Sequence, residues 1–139
     1  MKKRILVMTA GTGIAGAAKN NIRHGLQRAV ELSRPGELIF ITSSSADSQE
    51  VARAVEEFAK EQGVSLPARD GRMQPPAPVE ADDFESIRAL IANTFNSIVK
   101  VFGKTCEVVL NPTSGTKQMT AAAVHAKTCG TAAPGCEFP

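Results

Sequence analysis

Three short apolar runs fix what this chain can become: Arg4-Ile-Leu-Val-Met-Thr9, Leu38-Ile-Phe-Ile-Thr42 and Glu107-Val-Val-Leu110. None alternates apolar with polar residues, so each reads as a strand covered on both faces, the pattern of a parallel sheet sandwiched between helices. The intervening segments carry helical spacing. Ile22, Leu26 and Val30 share one face; so do Val51, Val55 and Phe58, and then Phe84, Ile87, Ile91, Phe95, Ile98 and Phe102. Strands alternating with helices imply crossover connections, and the expected fold class is α/β: a Rossmann-like, doubly wound parallel sheet in a single domain.

Punctuation along the chain agrees. Asp47 with Glu50 and Asp82 with Glu85 have the acceptor-x-x-Glu spacing of helix starts, and Gly103 and Gly130 mark helix stops. Pro67, Pro75, Pro76 and Pro78 exclude a long regular element from residues 63–81, although residues 68–73 are expected to supply a short third strand. Residues 1–130 are expected to form the domain and 131–139, with Gly and two Pro, a flexible tail.

With 139 residues, 42% hydrophobic, the chain has material for one core, and with six Phe but no Trp or Tyr that core must be aliphatic. The net charge of +2 is unevenly spread: residues 1–34 hold seven Lys/Arg against one acid, an excess most of which is read as a solvated helix face carrying Lys19, Arg23 and Arg28, with attraction of an anionic ligand as the alternative. No run is long enough to span a membrane and the N-terminus lacks a secretory pattern, so a cytoplasmic protein is expected. Cys106, Cys129 and Cys136 have neither disulfide-framework nor zinc spacing and are read as structural. No metal or cofactor is expected.

Two turns carry the chemistry. Asn111-Pro-Thr-Ser-Gly-Thr-Lys117 follows the last apolar run and precedes an Ala-rich helical stretch from Met119. Small hydroxylated residues, one Gly and a Lys at a helix start converge free N–H groups and positive charge, the layout of a phosphate-binding turn. A Lys at the positive end of a helix is electrostatically unfavourable without an anion beside it, which supports a ligand role for Lys117. Thr9-Ala-Gly-Thr-Gly-Ile-Ala-Gly16 follows the first run and contains Gly11, Gly13 and Gly16 in G-x-G-x-x-G spacing.

That spacing taken alone names a small Rossmann-fold NAD(P)-binding protein. Against it, Thr42-Ser-Ser-Ser45 stands where an acid would close the second strand, and neither a second nucleotide-binding half nor a substrate domain follows. A P-loop is excluded because Ala17 and Ala18 follow Gly16 where Lys and Ser/Thr are required.

The Asn111 to Lys117 segment resembles the Thr-Gly-Gly-Thr-Lys-type signature of CARF domains, the CRISPR-associated Rossmann-fold sensors of type III systems. In that family the signature follows the fourth strand and opens a helix, and a small-residue turn follows the first strand, as residues 9–16 do here. Ser114 stands where the family commonly has Gly, and the chain stops where members usually continue into another strand and often an effector. The resemblance implies a homodimer that binds cyclic oligoadenylate (cA4 or cA6) across its two-fold axis in antiviral signalling, with a separate or missing effector domain as the recipient of the signal. Neither a membrane nor duplex DNA is expected as a partner.

Some members also cleave the ring without metal, by attack of a ribose 2′-hydroxyl on the adjacent phosphate. For such a ring nuclease activity the resemblance points to Lys117 as the catalytic cation, assisted by N–H groups near Gly115 and Thr116. The expected ligand contacts are Thr9, Gly11, Thr12, Gly13, Ser43, Ser44, Asn111, Thr113, Ser114, Gly115, Thr116 and Lys117. His24 and His125, acid–base groups by type, lie within helical stretches and are read as structural.

Overall fold

The three apolar runs are strands lying side by side. The computed structural model describes residues 3–10, 16–80, 83–103, 106–111 and 136–137, with only the backbone of 16–19 and 136–137. Strand β1 is Arg4–Ala10, helix α1 Gly16–Ser33, strand β2 Glu37–Thr42, helix α2 Ala46–Glu61, helix α3 Phe84–Phe102 and strand β3 Glu107–Asn111. A two-residue strand β4, Cys136–Glu137, completes a four-stranded sheet in the order β2-β1-β3-β4. Every pairing is parallel.

Side chains alternate across this sheet as the pleat requires. Ile5, Val7, Ile39, Ile41, Val108 and Leu110 face α3, where Ile87, Ile91, Phe95 and Ile98 meet them. Leu6, Met8, Leu38, Phe40 and Val109 face the opposite layer, where Leu26 and Val30 of α1 and Val51, Val55 and Ala59 of α2 pack. Helices on both faces of a parallel sheet are the doubly wound arrangement, and they explain why the strands read as unbroken apolar runs.

Two expectations are corrected. Residues 68–73 are not a strand: Arg69 and Asp70 N–H both donate to the Leu66 carbonyl (2.9 and 3.0 Å) and Met73 N–H to that of Pro67 (3.1 Å), so the chain coils back on itself. Gly71 at φ +91° takes the left-handed backbone that this coil needs. The third-strand position beside β2 instead receives two single bridges, Glu37 with Ser65 and Ser43 with Val79. The helix caps also lie elsewhere than the spacing suggested. Ser45 caps α2 by accepting from Ser48 N–H, while Asp83 caps α3 by accepting from Ser86 N–H at 3.1 Å. Gly103 ends α3 with φ +83°, as expected.

β4 falls inside the segment read as a tail, with Cys136 opposite Val108 and Glu137 opposite Val109; the rest of 131–139 and the stretch from Met119 to Gly130 lie outside the described residues. No helix among the described residues is long and apolar enough to cross a membrane.

Phe95 is fully buried at the centre of the α3 layer, so Phe95→Ala is expected to cost about 3–5 kcal/mol, read from the midpoint of urea unfolding. The Asp83 carboxylate is held below its usual range by the Ser86 hydroxyl and then the Ser86 N–H. A depressed folded-state pKa adds stability above the unfolded pKa of about 3.9 and loses it as pH falls through the folded value. Asp83→Ala should therefore lower the melting temperature at neutral pH, with the gap from wild type closing as both are acidified below pH about 4.

Candidate functional site at the strand ends

Strand order places the chemistry. β1 runs to β2 on one side, and the chain returns to add β3 on the other side of β1, so the direction of winding reverses between β1 and β3. Open α/β sheets bind ligands in the crevice at such a reversal, outside the carboxyl ends of the strands. Here Met8 lies opposite Asn111 and Ala10 opposite Thr42, bringing the ends of all three long strands to one edge. Both small-residue turns leave from these ends, one after Ala10 and one from Asn111.

Of the expected contact residues, Thr9, Ser43, Ser44 and Asn111 are described. Thr9 and Ser43 are fully buried, Asn111 is buried at 8% exposure and Ser44 is exposed. Thr9 and Asn111 each have an interaction partner. Gly11, Thr12, Gly13, Thr113, Ser114, Gly115, Thr116 and Lys117 lie outside the described residues.

The two serines are differently employed. Ser43 Oγ accepts from the N–H of Ser45 (3.3 Å), closing a hydroxyl turn at the end of β2. Ser44 Oγ donates to the Glu80 carboxylate at 3.0 Å, tying the strand end to the segment that precedes α3.

Sequence reasoning missed Ser48. Its buried hydroxyl donates to the Ala10 carbonyl (2.5 Å) and accepts from Ser43 N–H (3.2 Å), while Ser43 N–H also donates to that same carbonyl (3.1 Å). One hydroxyl thus clasps the last residue of β1, the end of β2 and the first turn of α2. No local signal marked it, because its partners lie in different elements.

Two cations of the basic N-terminal third are accounted for by ion pairs. Lys3 and Arg4, part of the basic N-terminal third, lie at the opposite end of the sheet. Lys3 pairs with buried Glu37 (3.3 Å) and Arg4 with Glu107 (3.3 Å). Arg72 joins Glu37 and Asp70, and its guanidinium is pushed up by those hydrogen bonds while Asp70 is held down by Arg72. Lys3 and Arg72 also stack over the Phe102 ring at 5.7 and 5.6 Å. These cations are neutralised far from the strand ends. The start of α1, which follows residues 11–15 in sequence, has no acid in its first turn, so its own side chains leave the positive end of the helix uncompensated.

His24 is exposed on α1. Cys106 is buried, which pushes its thiol up and makes it a poor nucleophile. Among the described residues no cluster of His, Cys, Asp or Glu could hold a metal ion.

No protein-family model matches the sequence, and no curated protein is similar to it. Its fold is similar to that of Enterococcus italicus Csm6, solved bound to cyclic hexa-2′-fluoro-hexa-dAMP, with a TM-score of 0.57 at 14% identity over 99% of this chain. The chain spans 33% of that protein's length.

Ser48→Ala would strip the clasp from two buried backbone groups and should destabilise the fold by about 1–3 kcal/mol, measured by urea unfolding. A loss below about 0.5 kcal/mol would show that the Ser43 to Ala10 hydrogen bond alone holds the strand ends.

Proposed function

We propose that this chain is a sensor module for cyclic oligoadenylate, binding the ring at the ends of β1 and β3 as a homodimer. The observation that carries the reading is the parallel pairing of β1 with β3, which starts both small-residue turns from neighbouring strand ends at the reversal point. Two facts support it further. The segment from Asn111 to Lys117 resembles the CARF signature apart from Ser114, and the fold is similar to that of a protein solved with a cyclic adenine hexanucleotide.

In this reading the phosphates of the ring lie against N–H groups of the two turns and the start of α1, with Lys117 as the fixed cation. A ring with two-fold symmetry suits an isologous dimer, because each subunit then offers the same pair of turns to half of the ligand. Cleavage follows where a ribose 2′-hydroxyl is held in line with its neighbouring phosphate. The 2′-oxygen bonds to phosphorus, the 5′-oxygen leaves as a hydroxyl, and a 2′,3′-cyclic phosphate remains. The protein positions the atoms and Lys117 stabilises the charge of the phosphorane. The signal passes to an effector outside this sequence, in the setting of type III CRISPR defence in the cytoplasm.

The test pairs thermal shift with product analysis, using cyclic tetra-adenylate, cyclic hexa-adenylate, the 2′-fluoro hexamer and NAD(P) in separate arms. The expected result is stabilisation by a cyclic adenylate and by its 2′-fluoro analogue, with linear products only from the 2′-hydroxyl ring. Stabilisation by NAD(P) with no response to any ring would reject the proposal. Lys117→Ala is expected to slow cleavage by about 10²–10³-fold, the scale of losing one stabiliser of developing charge; unchanged turnover would remove Lys117 from the mechanism.

A further inference from the structure

β2 is an edge strand, and the chain between α2 and α3 pairs with that edge only at its two ends. At the start, Leu38 N–H donates to Ser65 C=O and Ser65 N–H to Gly36 C=O, both at 3.0 Å. At the finish, Val79 N–H donates to Thr42 C=O (3.1 Å) and Ser44 N–H to Val79 C=O (3.0 Å). These four bonds fix which way alternate residues point. Phe40, two residues beyond Leu38 and two before Thr42, turns its own N–H and C=O outward in the same direction. Neither group has a partner among the described residues. Nearly all backbone groups inside proteins pair with protein, water or ligand, so the Phe40 amide is open to whatever occupies the space beside it.

A cleft of about 170 Å3 lies between the two covered ends, lined by Phe40, Thr42, Gln49, Arg53, Pro75 and Pro76 among others. Two cations, Arg53 and Arg69, and one buried carboxylate, Glu56, line it. Arg69 is engaged by buried Glu56 at 3.2 Å, whereas the guanidinium of exposed Arg53 has no ion pair or hydrogen bond among the described residues. Gln49 precedes Arg53 by one turn of α2, so an amide and a free guanidinium stand in line along one wall.

The occupant is constrained on three counts. An added peptide strand is excluded, since Ser65 and Val79 already hold the positions before and after the gap and leave room to pair one residue. A ligand must therefore be compact, with a hydrogen-bond donor and an acceptor side by side on one edge to match the Phe40 amide. Its ring must be thin enough to lie between α2 and the proline segment, and a negative charge must reach Arg53. A nucleobase carrying a phosphate meets all three. The volume is below the roughly 300–1,000 Å3 of pockets that enclose whole ligands, so the base enters and the ribose and phosphate stay at the rim. We infer that this cleft is a mononucleotide site, with the base edge on the Phe40 backbone and the phosphate on Arg53. It lies on the outer edge of β2, which Thr42 borders, rather than over the ends of β1 and β3, and its success or failure is independent of the cyclic-ligand reading.

The full chain, labelled with 15N, is titrated with AMP, adenosine and inorganic phosphate in turn. AMP is expected to move the Phe40 and Thr42 amide resonances, and inorganic phosphate to leave the Phe40 amide unmoved. Arg53→Ala should weaken AMP binding about tenfold, the scale of one charge-assisted contact, while adenosine binding stays the same. Ala68→Phe, which fills the cleft, should abolish the Phe40 response, with thermal unfolding confirming that the variant is folded; if it is not, the exposed Arg53 variant still decides the matter. No Phe40 shift at about 10 mM AMP, shifts confined to Thr9 and Asn111, or equal AMP affinity in Arg53→Ala would each overturn the inference.

Discussion

The pairing of β1 on both sides governs everything else in this molecule. Because β2 and β3 run parallel to it, all three strands finish at one edge, and every segment leaving them starts from neighbouring points. A parallel sheet must also be covered on both faces, which is why α3 and the α1–α2 pair hold separate halves of the core. Among the described residues the ends of β1 and β2 are tied by backbone and hydroxyl contacts at Ala10, Ser43 and Ser48, while Lys3 and Arg72 pair with Glu37 at the opposite end.

Much of this architecture was legible in the residues. The unalternating runs identified the three long strands within a residue or two at each end, and the stripes through Leu26, Val51 and Ile91 identified the buried faces of the helices. The parallel sheet with helices on both faces also followed, because strands alternating with helices require crossover connections. These features are strongly periodic, and burial on a face is what periodicity reports.

The misses have physical causes. Residues 68–73 have enough apolar character for a strand, but a strand needs a partner along its length. Pro67, Gly71 and the pull of Glu37 and Asp70 on Arg72 coil the segment instead, with Met73 dropped into the α3 layer. Cap spacing misled because several acceptors stand in a row: Ser43, Ser44, Ser45 and Asp47 at one start, Asp82 and Asp83 at the other. Which one caps is set by how the chain enters the helix, and that depends on tertiary contacts such as Ser48 with Ala10. The charge count alone could not tell that Lys3 and Arg4 are spent on Glu37 and Glu107. At the candidate site the sequence supplied residue types, and the fold supplied the adjacency of the strand ends.

The most direct measurement is a crystal structure of this chain grown with the 2′-fluoro cyclic hexamer. The account predicts the ring seated over the ends of β1 and β3, its phosphates within hydrogen-bond distance of N–H groups from both turns and of the Lys117 ammonium. A ring held elsewhere, or a Lys117 amine paired with a carboxylate and turned away from the phosphates, would contradict it.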